Sequence, residues 1–203
     1  MKKSKQPIIW GIIIVFIVVL LSWNRIFPSK EQAIVSPENL PGVQTNAGAW
    51  DPATATLLNR LKAVNLPALA QEGSALHIHQ HVDLYINGTA TAIPSDIGIS
   101  RAGGFISPLH THDLSGIVHV ESNTVREFSL GEFFDVWGVL FTNECIGGYC
   151  TDGANTLKVY SNGTLITGDL RSHVLTPHEE IVIVYGTSSP ASIPSTYTFP
   201  AGY

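Results

Sequence analysis

Apolar and polar residues alternate most cleanly between Leu76 and Ile86. Ile78, Val82, Leu84 and Ile86 share one parity with Gln80, while His77, His79, His81, Asp83 and Tyr85 share the other. Successive strand side chains point to opposite faces, so this spacing predicts a β-strand with its apolar side on the core and its histidines toward solvent or a cleft. Asn87-Gly88 is a hairpin-turn signal, and Thr89 to Ile93 reads as the returning strand, ended by Pro94-Ser95-Asp96. The alternation recurs from Ile117 to Ser122, with Val118 and Val120 opposite Ile117, His119 and Glu121. Val125 to Leu130 reads as a further short strand. Leu157 to Tyr160, the Asn162-Gly163 turn and Thr164 to Ile166 form a second hairpin, and Glu179 to Tyr185 is the final apolar strand.

Helical spacing occurs twice. Asp51 as N-cap and Pro52 at the first helical position open one segment, Leu57, Leu58, Leu61 and Val64 continue it, and Pro67 closes it. Ser129-Leu130-Gly131-Glu132 has capping-box spacing, and Phe133, Phe134 and Trp137 follow as a short buried helix. The chain therefore reads as a β-rich α+β domain. From Ile117 onward the order strand, strand, helix, strand, strand, strand resembles a β-grasp arrangement in the C-terminal half.

The ends differ from this middle. Lys2, Lys3 and Lys5 precede an apolar run from Ile8 to Leu21, broken only by Gly11 and flanked by Trp10 and Trp23. Counted to Phe27 it is about 20 residues long, roughly 30 Å as a helix, which matches a bilayer core. Clustered lysines on the short side predict that this end stays in the cytoplasm. A cleavable signal peptide is the rival reading, but Ser22 to Phe27 offers no small-x-small cleavage pattern. The expected layout is a cytoplasmic stub and anchor over 1–27, contacting the bilayer through 8–27, and a linker over 28–49. A compact extracytoplasmic domain over 50–186 and a Pro/Ser-rich tail over 187–203 follow, making a single-pass protein of the cytoplasmic membrane.

Charge and cysteines narrow the chemistry. The net charge of −5 includes the basic N-terminus, so the rest is more acidic still, which argues against nucleic acid as a partner. Cys145 and Cys150, the only two cysteines, bracket Ile-Gly-Gly-Tyr, and outside the cytoplasm a disulfide closing this loop is the favoured reading. Free thiols are the alternative.

Six of the eight histidines fall within 77–119: His77, His79 and His81, then His110 and His112, then His119. Imidazole is the commonest protein metal ligand, and a four-coordinate site needs only three or four. If the strands at 77–86 and 117–122 are neighbours, the loop carrying His110 and His112 can fold over their merged polar faces. Asp83, Asp113 and Glu121 would then hold ring orientations as hydrogen-bond acceptors. These donors favour zinc or Cu(II); the scarcity of Met and Cys ligands argues against Cu(I). The bland alternative is a set of solvent-facing histidines, or a patch that charges together near pH 6. His173 and His178, near Thr176-Pro177, read as ordinary loop residues.

Two enzyme motifs begin here and fail. Gly104 followed by His110-Thr111-His112 looks like the opening of a cupin metal motif, but Gly116 and Ile117 stand where the glutamate belongs. His110-Thr111-His112-Asp113 resembles the start of the metallo-β-lactamase motif, but Leu114 and Ser115 occupy its Asp and His positions. A wider resemblance rests on Leu76 to His81, Ile106 to Asp113, Ser115 to Ser122, Phe128 to Phe134, Ile193-Pro194-Ser195 and Phe199 to Gly202. These segments look like a family of membrane-anchored or exported prokaryotic proteins; the resemblance implies extracytoplasmic placement and supplies no activity. The sequence thus points first to a membrane-tethered metal-binding protein, binding copper or zinc. The alternatives are a metal-dependent enzyme with a three-His site, activated water and Asp113 or Glu121 as base, and a non-catalytic module docking another envelope protein.

Overall fold

The computed structural model describes residues 35–187, 189–190 and 192–203. The expected stub and anchor over 1–27, and the linker as far as residue 34, lie outside the described residues. No helix among the described residues is long and apolar enough to cross a membrane.

Among the described residues there are two α-helices and eleven strands. In chain order they are α1 (Leu57–Ala63), β1 (Leu76–Ile86), β2 (Thr89–Thr91), β3 (Ile99–Ser100), β4 (Phe105–Ile106), β5 (Leu109–His110) and β6 (Ile117–Ser122). Then come α2 (Leu130–Trp137), β7 (Cys145–Ile146), β8 (Tyr149–Cys150), β9 (Thr156–Ser161), β10 (Thr164–Leu165) and β11 (Glu179–Gly186). The main sheet runs β10-β9-β11-β1-β6-β5, with β2 also paired to β1. Its centre is the parallel pair β1–β11; every other neighbour is antiparallel. The two hairpin turns form as the Asn-Gly signals predict, with φ of 51° and 79° at Asn87-Gly88 and 48° and 78° at Asn162-Gly163.

The period-2 pattern is obeyed along β1. Val82, Leu84 and Ile86 join Val118, Val120, Val159, Ile181 and Ile183 in the core, and α2 packs on them through Phe133, Phe134 and Trp137. Burial of each such side chain contributes about 1.5–3 kcal/mol. Gln80 shares this apolar face, fully buried, with neither amide atom hydrogen-bonded. The capping box at α2 is made in full: Ser129 Oγ accepts from Glu132 N–H at 3.2 Å, and Glu132 Oε2 accepts from Ser129 N–H at 2.9 Å.

Three expectations require correction. Residues 35–49 are packed rather than a loose tether, and the compact unit runs Val35–Tyr203. Leu40 is buried, and Gln44 pairs with Val139 through backbone bonds to Gly138 and Leu140. Buried Arg60 of α1 secures this segment: its guanidinium donates to the carbonyls of Pro41, Ala53 and Val136, the last an unpaired carbonyl at the end of α2. Second, α1 begins at Leu57 rather than after Asp51. The Asp51 backbone is bound instead by the Gln44 side chain and the Trp137 indole, and Ala53 is left-handed. Third, residues 125–128 form no strand; Val125 is exposed, and only Ser129 makes an isolated bridge, to Val174. The partner of β6 is β1, so the strand pair that precedes α2 starts at Leu76 and not at Ile117. The C-terminal tail lies on the sheet. Tyr197 stacks on His81 with ring centroids 3.7 Å apart, and Tyr203 packs on His79 at 4.8 Å, so the histidine face is covered.

Candidate metal centre

Strand register alone assembles the first row of imidazoles. Antiparallel pairing of β1 with β6 sets His79 opposite His119 and His77 opposite Glu121. Pairing of β5 with β6 sets His110 opposite His119 on the other side. His79, His119 and His110 therefore stand on three adjacent strands, with ring centroids 4.6 Å and 5.1 Å apart, close to the spacing of the strands themselves. His112, two residues beyond His110, folds back so that its ring lies 4.5 Å from His119. Thr111 between them anchors the loop, its hydroxyl donating to Pro94 O and accepting from Ile97 N–H.

Glu121 lies in the middle of this group. Its Oε1 is 3.1 Å from His119 Nδ1, 3.2 Å from His77 Nε2 and 4.0 Å from His79 Nε2, and its Oε2 is 4.0 Å from His110 Nε2. The carboxylate is 3 % exposed, and its ion-pair partners are all imidazoles. Burial would raise its pKa, but the hydrogen bond from His119 and the nearby His110 and His77 outweigh that and hold it below the usual carboxylate range.

Two of the rings, His79 and His110, are held in the state that a metal requires. His110 Nδ1–H donates to the Ser107 carbonyl at 3.1 Å, which leaves Nε2 with its lone pair facing His112 Nε2 at 3.2 Å. Burial pushes His110 down to about 3, and burial with His119 and His77 alongside pushes His79 down to about 4. Both are neutral at physiological pH, and metal ligation needs neutral imidazole. One donor atom from each of His110, His112 and His119 lies within 4.8 Å of the others, and the same holds for His77, His79 and Glu121. His77 and His112 are half-exposed and form the rim; His79, His110, His119 and Glu121 form the floor.

The structure separates the remaining sequence candidates from this group. His81 points the same way as His79, but both of its nitrogens are taken: Nε2–H donates to Ser115 O at 2.9 Å, and Nδ1 is 2.7 Å from Glu180 Oε2. Gly116 makes the first contact possible. It has φ of 83°, and a Cβ there would lie 2.7 Å from Val82 O and 3.1 Å from His81 Nε2. Asp83 lies near His81 and Glu180, not near Glu121. Asp113 is an exposed loop residue that accepts from Ser115 N–H at 2.8 Å; its bonds with Ser115 keep it below the usual range. Neither aspartate touches a ring of the cluster. Cys145 and Cys150 are joined by a disulfide across the β7–β8 hairpin. His173 and His178 lie in loops, His173 bonded to Glu179 and His178 to the Tyr203 carbonyl at 3.0 Å.

Sequence reasoning missed Glu72 and Glu180. Glu72 Oε1 lies 3.3 Å from His112 Nε2, and nothing about its place in an irregular loop signals this. Glu180 had a usable signal, a carboxylate beginning an apolar strand that demands a buried partner. Burial pushes its carboxyl up, partly offset by the bond with His81.

No family model, no curated protein and no solved structure matches this chain. The functional reading therefore rests on the site alone.

Proposed function

We propose that this protein binds a divalent metal ion, zinc or Cu(II), through His110, His112 and His119. The observation that carries the reading is a buried carboxylate, Glu121, with imidazole nitrogens of His77, His79, His110 and His119 at 3.1–4.0 Å and no Lys or Arg salt bridge among the described residues. A buried negative charge without a cationic partner is costly, and a metal ion offsets it. His119 Nδ1 bonded to Glu121 repeats the carboxylate–histidine arrangement that orients metal ligands. Binding is favoured over catalysis because the two carboxylates expected as a base are engaged: Asp113 is held by Ser115 and Glu121 is ringed by histidines.

The apolar N-terminal run and its lysines support membrane tethering with the domain outside the cytoplasm, where the Cys145–Cys150 bond would persist. The sheet order β10-β9-β11-β1-β6 with its central parallel pair has the character of a β-grasp, built on β1 and β6 as its first hairpin-like pair.

The test is elemental analysis of the purified full chain after loading with zinc or copper and dialysis. The wild type is expected to retain at least one ion per chain, as is His81→Ala, while His110→Ala/His112→Ala loses the ion held by those residues with its circular dichroism unchanged. Equal metal content in the wild type and the folded double variant would refute the assignment.

A further inference from the structure

The donors around Glu121 outnumber what one ion uses. Five imidazoles and a carboxylate converge, with Glu72 at the rim, whereas zinc in a closed site takes four ligands. The donors also fall into two groups. His77 Nε2 and His79 Nε2 are 3.1 Å apart, and His110 Nε2 and His112 Nε2 are 3.2 Å apart. Two nitrogens on one tetrahedral ion, with bonds of about 2.0–2.1 Å, sit roughly 3.3 Å from each other. Each pair thus already has the spacing of two ligands to a single ion. The pairs come from different strands, β1 on one side and the β5 end on the other, with β6 between them carrying His119 and Glu121. The Glu121 carboxylate reaches both groups: Oε1 lies 3.2 Å from His77 Nε2, 4.0 Å from His79 Nε2 and 3.1 Å from His119 Nδ1, and Oε2 lies 4.0 Å from His110 Nε2.

We propose that the cluster holds two metal ions, one on His77 and His79 and the other on His110, His112 and His119, with the Glu121 carboxylate shared between them. This rests on the metal-binding reading and deepens it. The register explains why both halves form together. Antiparallel pairing that places His77 opposite Glu121 also places His79 opposite His119, so the carboxylate cannot serve one group without reaching the other. Both ions would be reached from the rim, where a groove between His77, His79, Pro177, His178, Gly202 and Tyr203 leads to the first group.

The experiment is titration of the metal-free full chain with zinc against a chromophoric chelator, together with electron paramagnetic resonance of the Cu(II)-loaded protein. The wild type is expected to bind two zinc ions, and its copper spectrum to show two magnetically coupled spins. His77→Ala/His79→Ala should bind one ion and give a single uncoupled copper signal, and Glu121→Gln should weaken the second zinc ion at least tenfold. His77→Ala alone, at a half-exposed position, provides a variant whose fold is not at risk. One ion in the wild type, unchanged in His77→Ala, would overturn the two-ion proposal and leave the single-ion reading standing. Two ions without spin coupling would overturn the sharing by Glu121. No binding at all would remove both readings.

Discussion

His79 and His81 are two residues apart on one strand and face the same side of the sheet, yet they belong to different chemistry. Around His79 the neighbours are other imidazoles, the shared Glu121 and Tyr203, and its Nε2 lies 3.1 Å from His77 Nε2. Around His81 a backbone carbonyl and Glu180 occupy both nitrogens, and Tyr197 covers the ring. The parallel strand β11 supplies Glu180 on one side of β1, and the antiparallel β6 supplies His119 and Glu121 on the other. The lesson is that a repeated spacing fixes which face a histidine is on, while the neighbouring strands decide whether it is a ligand or a strut.

The largest effect that would break this contrast is on affinity. His110→Ala/His112→Ala should weaken zinc or Cu(II) binding at their site at least a hundredfold, about 2.7 kcal/mol by the free energy of a tenfold change. His81→Ala should leave affinity within about threefold by the same scale. Competition titration with a chelator checks both, and an equal loss in the two variants would erase the distinction.

Stability should show the reverse order. His81→Ala strands the buried Glu180 carboxyl and is expected to cost about 3 kcal/mol, as breaking a buried pair does. Half-exposed His77→Ala should change the metal-free protein by less than about 0.5 kcal/mol, as surface substitutions do. Urea unfolding of the metal-free chain measures both.

A smaller effect separates the two adjacent carboxylates of β11. Burial would raise Glu179, but bonds from His173, Ser161 and Thr176 outweigh it and keep its pKa below the ordinary value. A carboxyl depressed in the folded state contributes stability that is present above its unfolded pKa and lost as pH falls through the folded one. Glu179→Gln should therefore destabilise the protein at neutral pH, by about 1–3 kcal/mol for a buried charge-assisted set of bonds. The deficit should shrink as the acid limb is approached. A deficit independent of pH would show that the carboxylate charge contributes nothing.

The smallest effect lies on the opposite face. Gln80 buries both amide atoms unpaired in the apolar layer, so Gln80→Met, similar in volume, should stabilise the fold by about 1 kcal/mol. A loss of stability in thermal unfolding would mean that the amide has a partner in solution.

Much of the frame was legible from residue order. Alternation located β1 and β6, a continuous apolar run located β11, Asn-Gly marked both hairpin turns, and Ser129 with Glu132 marked the start of α2. Those signals are local: each depends on side-chain parity or on backbone needs a few residues wide. Part of the candidate site was legible too, because parity places His77 with His79 on one face of their strand and His119 with Glu121 on one face of theirs; the pairing of β1 with β6 joins the two. What could not be read was register and coverage. Nothing in Glu180 says that it meets His81, since that pairing depends on a parallel strand a hundred positions away. Nothing in Tyr197 or Tyr203 says that they stack on histidines, because an irregular tail carries no period. The failed strand at 125–130 has the apolar residues of a strand, but Val125 faces solvent and Phe128 is held under Arg126.

X-ray absorption at the metal edge of the zinc- or copper-loaded chain tests the central claim most directly. The account predicts a nitrogen and oxygen shell at about 2.0–2.1 Å, with the outer-shell scattering of at least two imidazoles per ion, fading in His110→Ala/His112→Ala. An oxygen-only shell without imidazole scattering, unchanged by those substitutions, would contradict it.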